Sequence, residues 1–573
     1  MSAVSTKNGA EMNVTLKDVL LLSIMTIGAG CGMIYEYIVA HYAGRITGSV
    51  DTAVYGIIGI MVCAMGVGAF YSRTIKCPYS GFAWLEAIIA LIGGTAVLAM
   101  ACVFSIAYVL PLQLHNSFGL DDSVRVHGGI VFVLQQISAA FPYITGFVVG
   151  LLVGMEIPFI ARIREDIYSA KVDHNAGTIY GADYVGGGIG AAVFVLVCLH
   201  MPITLAAAFT ALLNLTLGSI FLVMFYKRIK GAIFLIALKL ATLVALTLVA
   251  INGAAWIDKL NNTLYEDKVI HSKSTPYQNL VVTERIASKA SGSIINLYIN
   301  GNLQFSSADE IAYHSFLVVP VMLASARHKN ILVIGGGDGL AAKEIFKWNP
   351  DSITLVDLDS AMISMFRGKD KTSPDYLNKR LTDLNANALN DERLTYLQGD
   401  AFNIVEQLSN EGKTYDAIIV DLPDPNHPDL NKLYSSYFYA KLSNLLSGDG
   451  AIGIQSTSPY HSRKAFLSIG KTVESTGLSM HQYHANIPSF GEWGWTIATK
   501  RGLAPIDRLK QQFHEFPEHD YLSYDLMLSS FIFPKSLTKD LSEIKINQLS
   551  SPTLYDYHSN GWKIEKGIYL ANP

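Results

Sequence analysis

The sequence predicts two parts of different class: an N-terminal all-α polytopic membrane bundle, and a C-terminal α/β domain with a parallel sheet, preceded by a small β-hairpin domain. Three observations predict it. Half of the 573 residues are hydrophobic and only 16% are charged, against roughly a quarter charged in soluble proteins. From Val19 to about Trp256 the chain is a series of apolar runs separated by short polar loops, and beyond Asp258 it reads as a soluble sequence. In that second half, strand-like runs end in glycines or carboxylates. The expected divisions are 1–256 for the bundle, 257–306 for the small β domain, 307–500 for the α/β domain and 501–573 for an extension.

A spanning helix needs about 20 mostly apolar residues, and seven runs qualify: 19–41, 52–72, 82–111, 129–161, 177–200, 203–226 and 231–254. The fourth is long and holds Pro142 and Pro158, so a kink or a break into two pieces is expected, with eight as the alternative count. Gly28, Gly30, Gly32, Gly186, Gly187, Gly188 and Gly190 suit close helix packing in lipid. The stretch before the first run carries Lys7, Glu11 and Lys17 without a small-residue cleavage site, so the first helix reads as retained. Basic residues in short loops set orientation. The second loop has Arg73 and Lys76, the fourth Arg162, Arg164 and Lys171, and the sixth Lys227, Arg228 and Lys230, while the odd loops offer little beyond Arg45 and Arg125. The N-terminus and even loops are therefore expected in the cytoplasm, and seven spans then put the C-terminal half outside. An eighth crossing or a re-entrant piece near Pro142 would put it inside, where the chemistry below expects it.

Glu36, Glu86, Glu156 and Asp183 lie within or near the spans beside one mid-span base, Lys239. They read either as a cation path or as locally satisfied groups, with Glu156 pairing Arg162 or Arg164 at the interface. Cys31, Cys63, Cys77, Cys102 and Cys198 all fall in the apolar half without metal-ligand spacing, and read as packing residues. A net charge of -4 and the lack of a basic stripe argue against a nucleic-acid partner.

In the soluble half, NLVVT (279–283) and INLYI (295–299) read as strands, and Asn300-Gly301 before Leu303-Gln304-Phe305 is a two-residue hairpin signal. Ser307-Ala308-Asp309-Glu310 has the form of a capping box opening a helix to about Ser325, with Asp309, Tyr313 and His314 near its start. The strand NILVI (330–334) runs into Gly335-Gly336-Gly337-Asp338-Gly339 and a helical stretch, the arrangement that lets a ligand approach backbone at a helix N-terminus. A second strand, SITLVDLD, carries Asp357 twenty residues beyond Gly337, where a nucleotide fold needs a carboxylate for ribose hydroxyls. This is a Rossmann-like pattern. The strand LTYLQGDA leads to Asp400, placed to accept from an exocyclic amine, and YDAIIV ends in Asp421-Leu422-Pro423-Asp424-Pro425. Asp338, Asp357, Asp400, Asp421 and Asp424 should then converge outside the carboxyl ends of the strands. Five carboxylates around one pocket imply cationic substrates, and their repulsion favours a group able to take a proton.

The series Gln278, Gln304, Asp309-Glu310, Tyr313-His314, GGGDG, VDLD, QGDA and DLPDP resembles spermidine synthases over about residues 265–500, and GMEIPF (154–159) and IPSFGEWGW (487–495) resemble the multi-spanning membrane branch of that family. The resemblance implies transfer of an aminopropyl group from decarboxylated S-adenosylmethionine to an amine, putrescine by default, releasing methylthioadenosine. It implies no prosthetic group and no metal. Carried over, Gln278, Gly335, Gly337, Asp357, Asp400, Ala401 and Pro428 hold the donor, and Asp338 binds its ammonium. Asp421 is the proton acceptor, and Gln304, Tyr313, His314, Asp338 and Asp424 bind the amine. Soluble relatives are commonly dimers or tetramers, and a homodimer in the cell (inner) membrane with a cytoplasmic catalytic domain is the resulting expectation. Ser315, Asp357, Ala401 and Phe490 depart from the family's glutamate, glutamate, glycine and tyrosine. Another S-adenosylmethionine-dependent transferase, and a polyamine transporter or sensor, are the competing readings. The extension 501–573, with FPEHDYLSYD and LMLSSFIFP, suggests a cover over the pocket.

Overall fold

The computed structural model describes residues 2–47, 50–117, 129–168, 174–262, 265, 267–288, 292–500, 502–537, 539 and 541–565, and the chain forms two compact units, Met1–Glu266 and Asp267–Pro573. The described part of the first unit is helical: α1 (Ser2–Thr47), α2 (Val50–Tyr71), α3 (Pro78–Ser117), α4 (Gly129–Val153), α5 (Glu156–Tyr168), α6 (Asn175–Leu196), α7 (Ile203–Phe225) and α8 (Ala232–Asn262). Seven stretches of it, from Thr15–Gly44 to Ala232–Leu260, are long and apolar enough to cross a membrane.

The predicted fourth run breaks, but not at Pro142, through which α4 continues to Val153. The break falls at Gly154-Met155, where the chain presses against α2: a Cβ on Gly154 would sit 2.1 Å from the Met65 carbonyl oxygen. Pro158 lies in the first turn of α5, where a missing N–H leaves no bond unmade. At 13 residues α5 is too short to span, so the break adds no crossing. Glycines do bring α1 and α6 together. A Cβ on Gly186 would sit 1.9 Å from the Thr26 carbonyl oxygen, and one on Gly190 2.3 Å from that of Gly30.

The even loops meet at one end of this unit. Arg162 donates to the carbonyl oxygens of Ser72, Ile75 and Lys76. Arg164 donates to Asp18 at 2.6 and 2.9 Å and to Asn175 at 2.7 Å. Arg228 pairs with Asp166, which also accepts from the Tyr79 hydroxyl. Arg125 and Lys171, and the side chain of Arg45, lie outside the described residues. Glu156 pairs with neither Arg162 nor Arg164, because loop carbonyls and Asp18 occupy those guanidiniums. It is buried instead, as are Glu36, Glu86 and Lys239.

The second unit opens with β1 (Lys268–Ser274), β2 (Asn279–Ser288), β3 (Gly292–Ile299) and β4 (Asn302–Ser306), antiparallel in that order. Asn300 and Gly301 join β3 to β4 with φ of 51° and 82°, the left-handed pair a two-residue turn demands. Then follow α9 (Glu310–Ala324), β5 (Asn330–Gly335), α10 (Leu340–Phe346), β6 (Ser352–Asp357), α11 (Ser360–Phe366), α12 (Asp375–Leu384), β7 (Leu394–Gln398), α13 (Ala401–Asn410), β8 (Tyr415–Asp421), α14 (Ser436–Leu445), β9 (Leu446–Gln455), α15 (Arg463–Glu474), β10 (Ser479–Ile487) and β11 (Gly491–Thr499). The extension adds α16 (Pro505–Gln511), α17 (Tyr524–Ser529) and α18 (Leu554–Glu565). The sheet order is β10-β11-β9-β8-β5-β6-β7, with β7, β6, β5, β8 and β9 parallel and β11 and β10 antiparallel. The chain leaves β5 towards β6 and β7, then returns on the other side as β8. That reversal opens a crevice at the carboxyl ends of β5 and β8.

The capping box at the start of α9 does not form. The Ser307 hydroxyl accepts from Ile295 N–H at 2.8 Å, and the Asp309 carboxylate accepts from Ser489 N–H at 2.6 Å and its hydroxyl at 3.0 Å. Tertiary partners on β3 and on the β10–β11 turn have taken both side chains.

Candidate active site

The glycine loop brings three strand ends together. Gly335, at φ 80°, pairs in register with Asp421, and a Cβ there would sit 2.1 Å from the Asp421 carbonyl oxygen. At Gly337 a Cβ would lie 2.6 Å from Asp357 Oδ2, so only glycine lets this turn pass over the β6 carboxylate. Asp338 accepts from Leu340 N–H at 2.9 Å, which fixes its side chain at the start of α10.

Across the crevice, α9 contributes Tyr313 and His314. The Tyr313 hydroxyl donates to Asp421 Oδ1 at 2.9 Å, and His314 Nε2 stands 4.0 Å from Asp421 Oδ2. The His314 ring is 3.4 Å from Glu310, which also accepts from Lys343 at 2.7 Å. Burial alone would lower the His314 pKa, but the Glu310 hydrogen bond and the charges of Asp338 and Asp421 raise it to about 9. It is therefore a cation at neutral pH. Burial pushes Asp421 above its ordinary value, against the pull of His314 and the Tyr313 hydrogen bond. Asp338 goes up to about 6, chiefly through burial, with His314 opposing and Asp421 adding to the rise.

On the β6 side, burial pushes Asp357 up to about 7, against backbone donors from Asp359 and Gly337 and helped by the charges of Asp359 and Asp338. Gln278 reaches this side, but its amide donates at 2.9 Å to Asp359, which also accepts from Thr275 at 2.8 Å. Asp400 starts α13, accepts from Phe402 N–H at 3.0 Å, and is paired with Lys432. Ala401 is the first residue of α13, and Pro428 begins the 3-10 turn Pro428–Tyr434 that carries Lys432.

Asp424 is held from three directions. It accepts from Gln455 at 2.6 Å, from Thr457 at 3.1 Å, and faces His558 Nε2 on α18 at 2.9 Å. Thr457 sits at φ 59°, an uncommon state for a β-branched residue. Gln304 is half-buried on β4 and makes no hydrogen bond to another predicted site residue among the described residues. Phe490 packs edge-on against Tyr313, with ring centroids 6.0 Å apart. Ser315 bonds back to the Ile311 carbonyl and lies 3.2 Å from His519, so it is used in packing the extension. The sequence reading passed over Asp359, Lys432, Gln455, Thr457 and His558. Asp359 had a signal, since it stands two residues after Asp357 in the VDLD motif; the others come from segments without a motif.

A model of the spermine/spermidine synthase domain matches residues 310–510. Over 553 residues the chain is 48% identical to a polyamine aminopropyltransferase of Shewanella oneidensis, covering 96% of each. It is 31% identical to polyamine aminopropyltransferase 1 of Streptomyces coelicolor, over 95% of this chain and 94% of the relative. A spermidine synthase crystal structure from Thermotoga maritima matches 48% of this chain and 87% of its own, at 20% identity and a TM-score of 0.40.

Proposed function

The chain belongs to the polyamine aminopropyltransferase family, and from that premise we propose which groups carry the reaction and on which substrates. The protein transfers an aminopropyl group to an amine. In our reading the donor is decarboxylated S-adenosylmethionine and the acceptor putrescine, giving spermidine and methylthioadenosine. The acceptor arrives as an ammonium and cannot attack until it loses a proton. Asp421 takes that proton. The freed nitrogen lone pair forms a bond to the aminopropyl carbon, the carbon–sulfur bond breaks, and its electron pair neutralises the sulfonium as thioether. Holding nitrogen, carbon and sulfur in line supplies much of the rate.

Asp357 and Gln278 hold the ribose side, Asp400, Ala401 and Pro428 the base, and Asp338 the aminopropyl ammonium. Tyr313, His314 and Asp424 set the acceptor. The observation carrying this reading is the pairing of largely covered Asp421 with the Tyr313 hydroxyl beside cationic His314. It leaves a proton acceptor whose pKa sits above the usual carboxylate range, nearer that of the ammonium it must deprotonate. The acidic neighbourhood also favours the decarboxylated donor, because the carboxylate of S-adenosylmethionine would meet Asp338 and Asp421 at close range. The seven apolar helices support a multi-pass place in the cell membrane; the cytoplasmic side is assigned to the catalytic unit from its nucleoside-derived donor, against the loop bias of Lys and Arg.

The test is to incubate the detergent-purified protein with putrescine and either donor, following methylthioadenosine and new amine by mass spectrometry, with Asp421→Asn as control. Spermidine from the decarboxylated donor alone, lost in the variant, supports the assignment. Methylthioadenosine without spermidine means another acceptor, and no consumption of either donor overturns the reading.

A further inference from the structure

The last described helix, α18, places His558 against the same carboxylate that the acceptor is assigned to meet. His558 Nε2 is 2.9 Å from Asp424 Oδ2, and both side chains are nearly buried, at 7% and 13% exposure. A carboxylate only accepts, so the ring must carry its proton on Nε2 and donate it to Asp424. The Trp562 indole nitrogen is 3.0 Å from the same Nε2. One nitrogen cannot donate to Asp424 and accept from Trp562 at once, and the charged partner makes the stronger bond. Trp562 then serves as a wall, stacked on His461 with centroids 5.1 Å apart.

This contact is built, not incidental. The first turn of α18 is tied to the loop that carries the site: Tyr555 N–H donates to Asn431 Oδ1 at 3.0 Å, and Thr553 N–H to Asn547 Oδ1 at 3.0 Å. Asn547 is fully buried and donates to the Asn431 carbonyl at 2.9 Å. Asn431 lies in the Pro428–Tyr434 turn, one residue from the Lys432 that pairs with Asp400. Near its other end, α18 approaches so closely that a Cβ on Gly561 would sit 2.5 Å from the His461 carbonyl oxygen.

A carboxylate offers about four lone-pair sites. Gln455 takes one on Oδ1, while Thr457 and His558 take those on Oδ2. One site on Oδ1 is left. We propose that His558 is a positioning residue for the acceptor: by filling Oδ2 it fixes the Asp424 plane and presents a single, directed lone pair to the acceptor's distal ammonium. This rests on the assignment of Asp424 to the acceptor. Losing His558 would leave Oδ2 to Thr457 alone, at 3.1 Å, and open a second lone pair to the acceptor, so that the carboxylate selects acceptor length less sharply.

The experiment compares full-length wild type, His558→Ala and His558→Gln in detergent, measuring kcat and the KM of each substrate with putrescine and with a diamine one methylene longer. His558→Ala is expected to raise putrescine KM roughly tenfold, leave donor KM unchanged and narrow the preference between the two diamines. His558→Gln, which keeps an N–H donor, should recover part of the loss. Unchanged acceptor KM and preference in His558→Ala overturns the proposal. So does an equal rise in both KM values without recovery in His558→Gln, which marks a purely structural helix. A wild type that makes no aminopropylated product defeats the functional assignment itself.

Discussion

His314 carries a charge at neutral pH because Glu310, Asp338 and Asp421 outweigh its burial, and that charge governs how the two aspartates titrate. Asp421 must be ionised to take a proton, and its folded-state value is raised, so activity should be lost as pH falls while ordinary carboxylates are still charged. In the proposed assignment Asp338 must be ionised to hold the donor ammonium, so kcat/KM for the donor should fall below about pH 6. Above about pH 9 the His314 charge is lost, Asp338 and Asp421 are left to repel, and a second decline should follow. A pH–rate profile checks all three limbs. A flat profile between pH 5 and the ordinary lysine range, roughly 10, would remove the coupled cluster from the mechanism. Asp421→Asn should lower kcat by about a thousandfold with little change in donor KM, as single-turnover and steady-state rates would reveal.

The elements differ in how legible they were. β5, β6 and β8 and the hairpin at Asn300-Gly301 could be read because each is a local pattern: an apolar run ended by glycine or carboxylate, or two residues that tolerate positive φ; the helix α9 was found although the capping box that marked its start does not form. The break after α4 was legible only as a run holding Pro142 and Pro158; it falls just before Pro158, and its place is set by the pressure of Met65 on Gly154, which comes from another helix. β9, β10 and β11 went unread; Gln455 and Thr457, which hold Asp424, stand at and just beyond the end of β9. Among site residues, Lys432 lies 32 positions from Asp400 and His558 134 positions from Asp424, so no spacing rule links them. The glycine loop makes an element-level prediction. In Gly337→Ala the new methyl would fall 2.6 Å from Asp357 Oδ2 and displace the carboxylate that we assign to the donor's ribose. Donor KM should rise by about tenfold or more, of the order expected for a charged hydrogen bond, with acceptor KM unchanged. Initial rates with each substrate varied in turn decide it.

Across the whole molecule, seven helices suited to a bilayer precede the catalytic unit, and contacts among Arg162, Arg164, Arg228, Asp18 and Asp166 gather the even loops and the N-terminal stretch at one end of the bundle. Ser105 donates to the Leu260 carbonyl, placing the end of α8 beside the far part of α3, away from that basic end. A cytoplasmic catalytic unit therefore requires the basic end to face outward, against the usual bias of Lys and Arg. All five cysteines lie in the first unit, so a cysteine placed at exposed Lys379 is a clean reporter once they are replaced. The expected result is labelling by a membrane-impermeant maleimide only after lysis; labelling in intact cells would place catalysis outside. The anchoring of α18 through Asn431 and Asn547 also separates the sheet from its bracing along the chain. Every strand of the sheet lies before residue 500, yet groups that brace Asp424 and the Pro428–Tyr434 turn, His558, Tyr555 and Asn547, come from the extension beyond it. Loss of α18 alone would leave every strand of the sheet in the chain and remove His558 from Asp424 and the Tyr555 tie from Asn431, so integrity of the sheet and bracing of the acceptor carboxylate are separable properties.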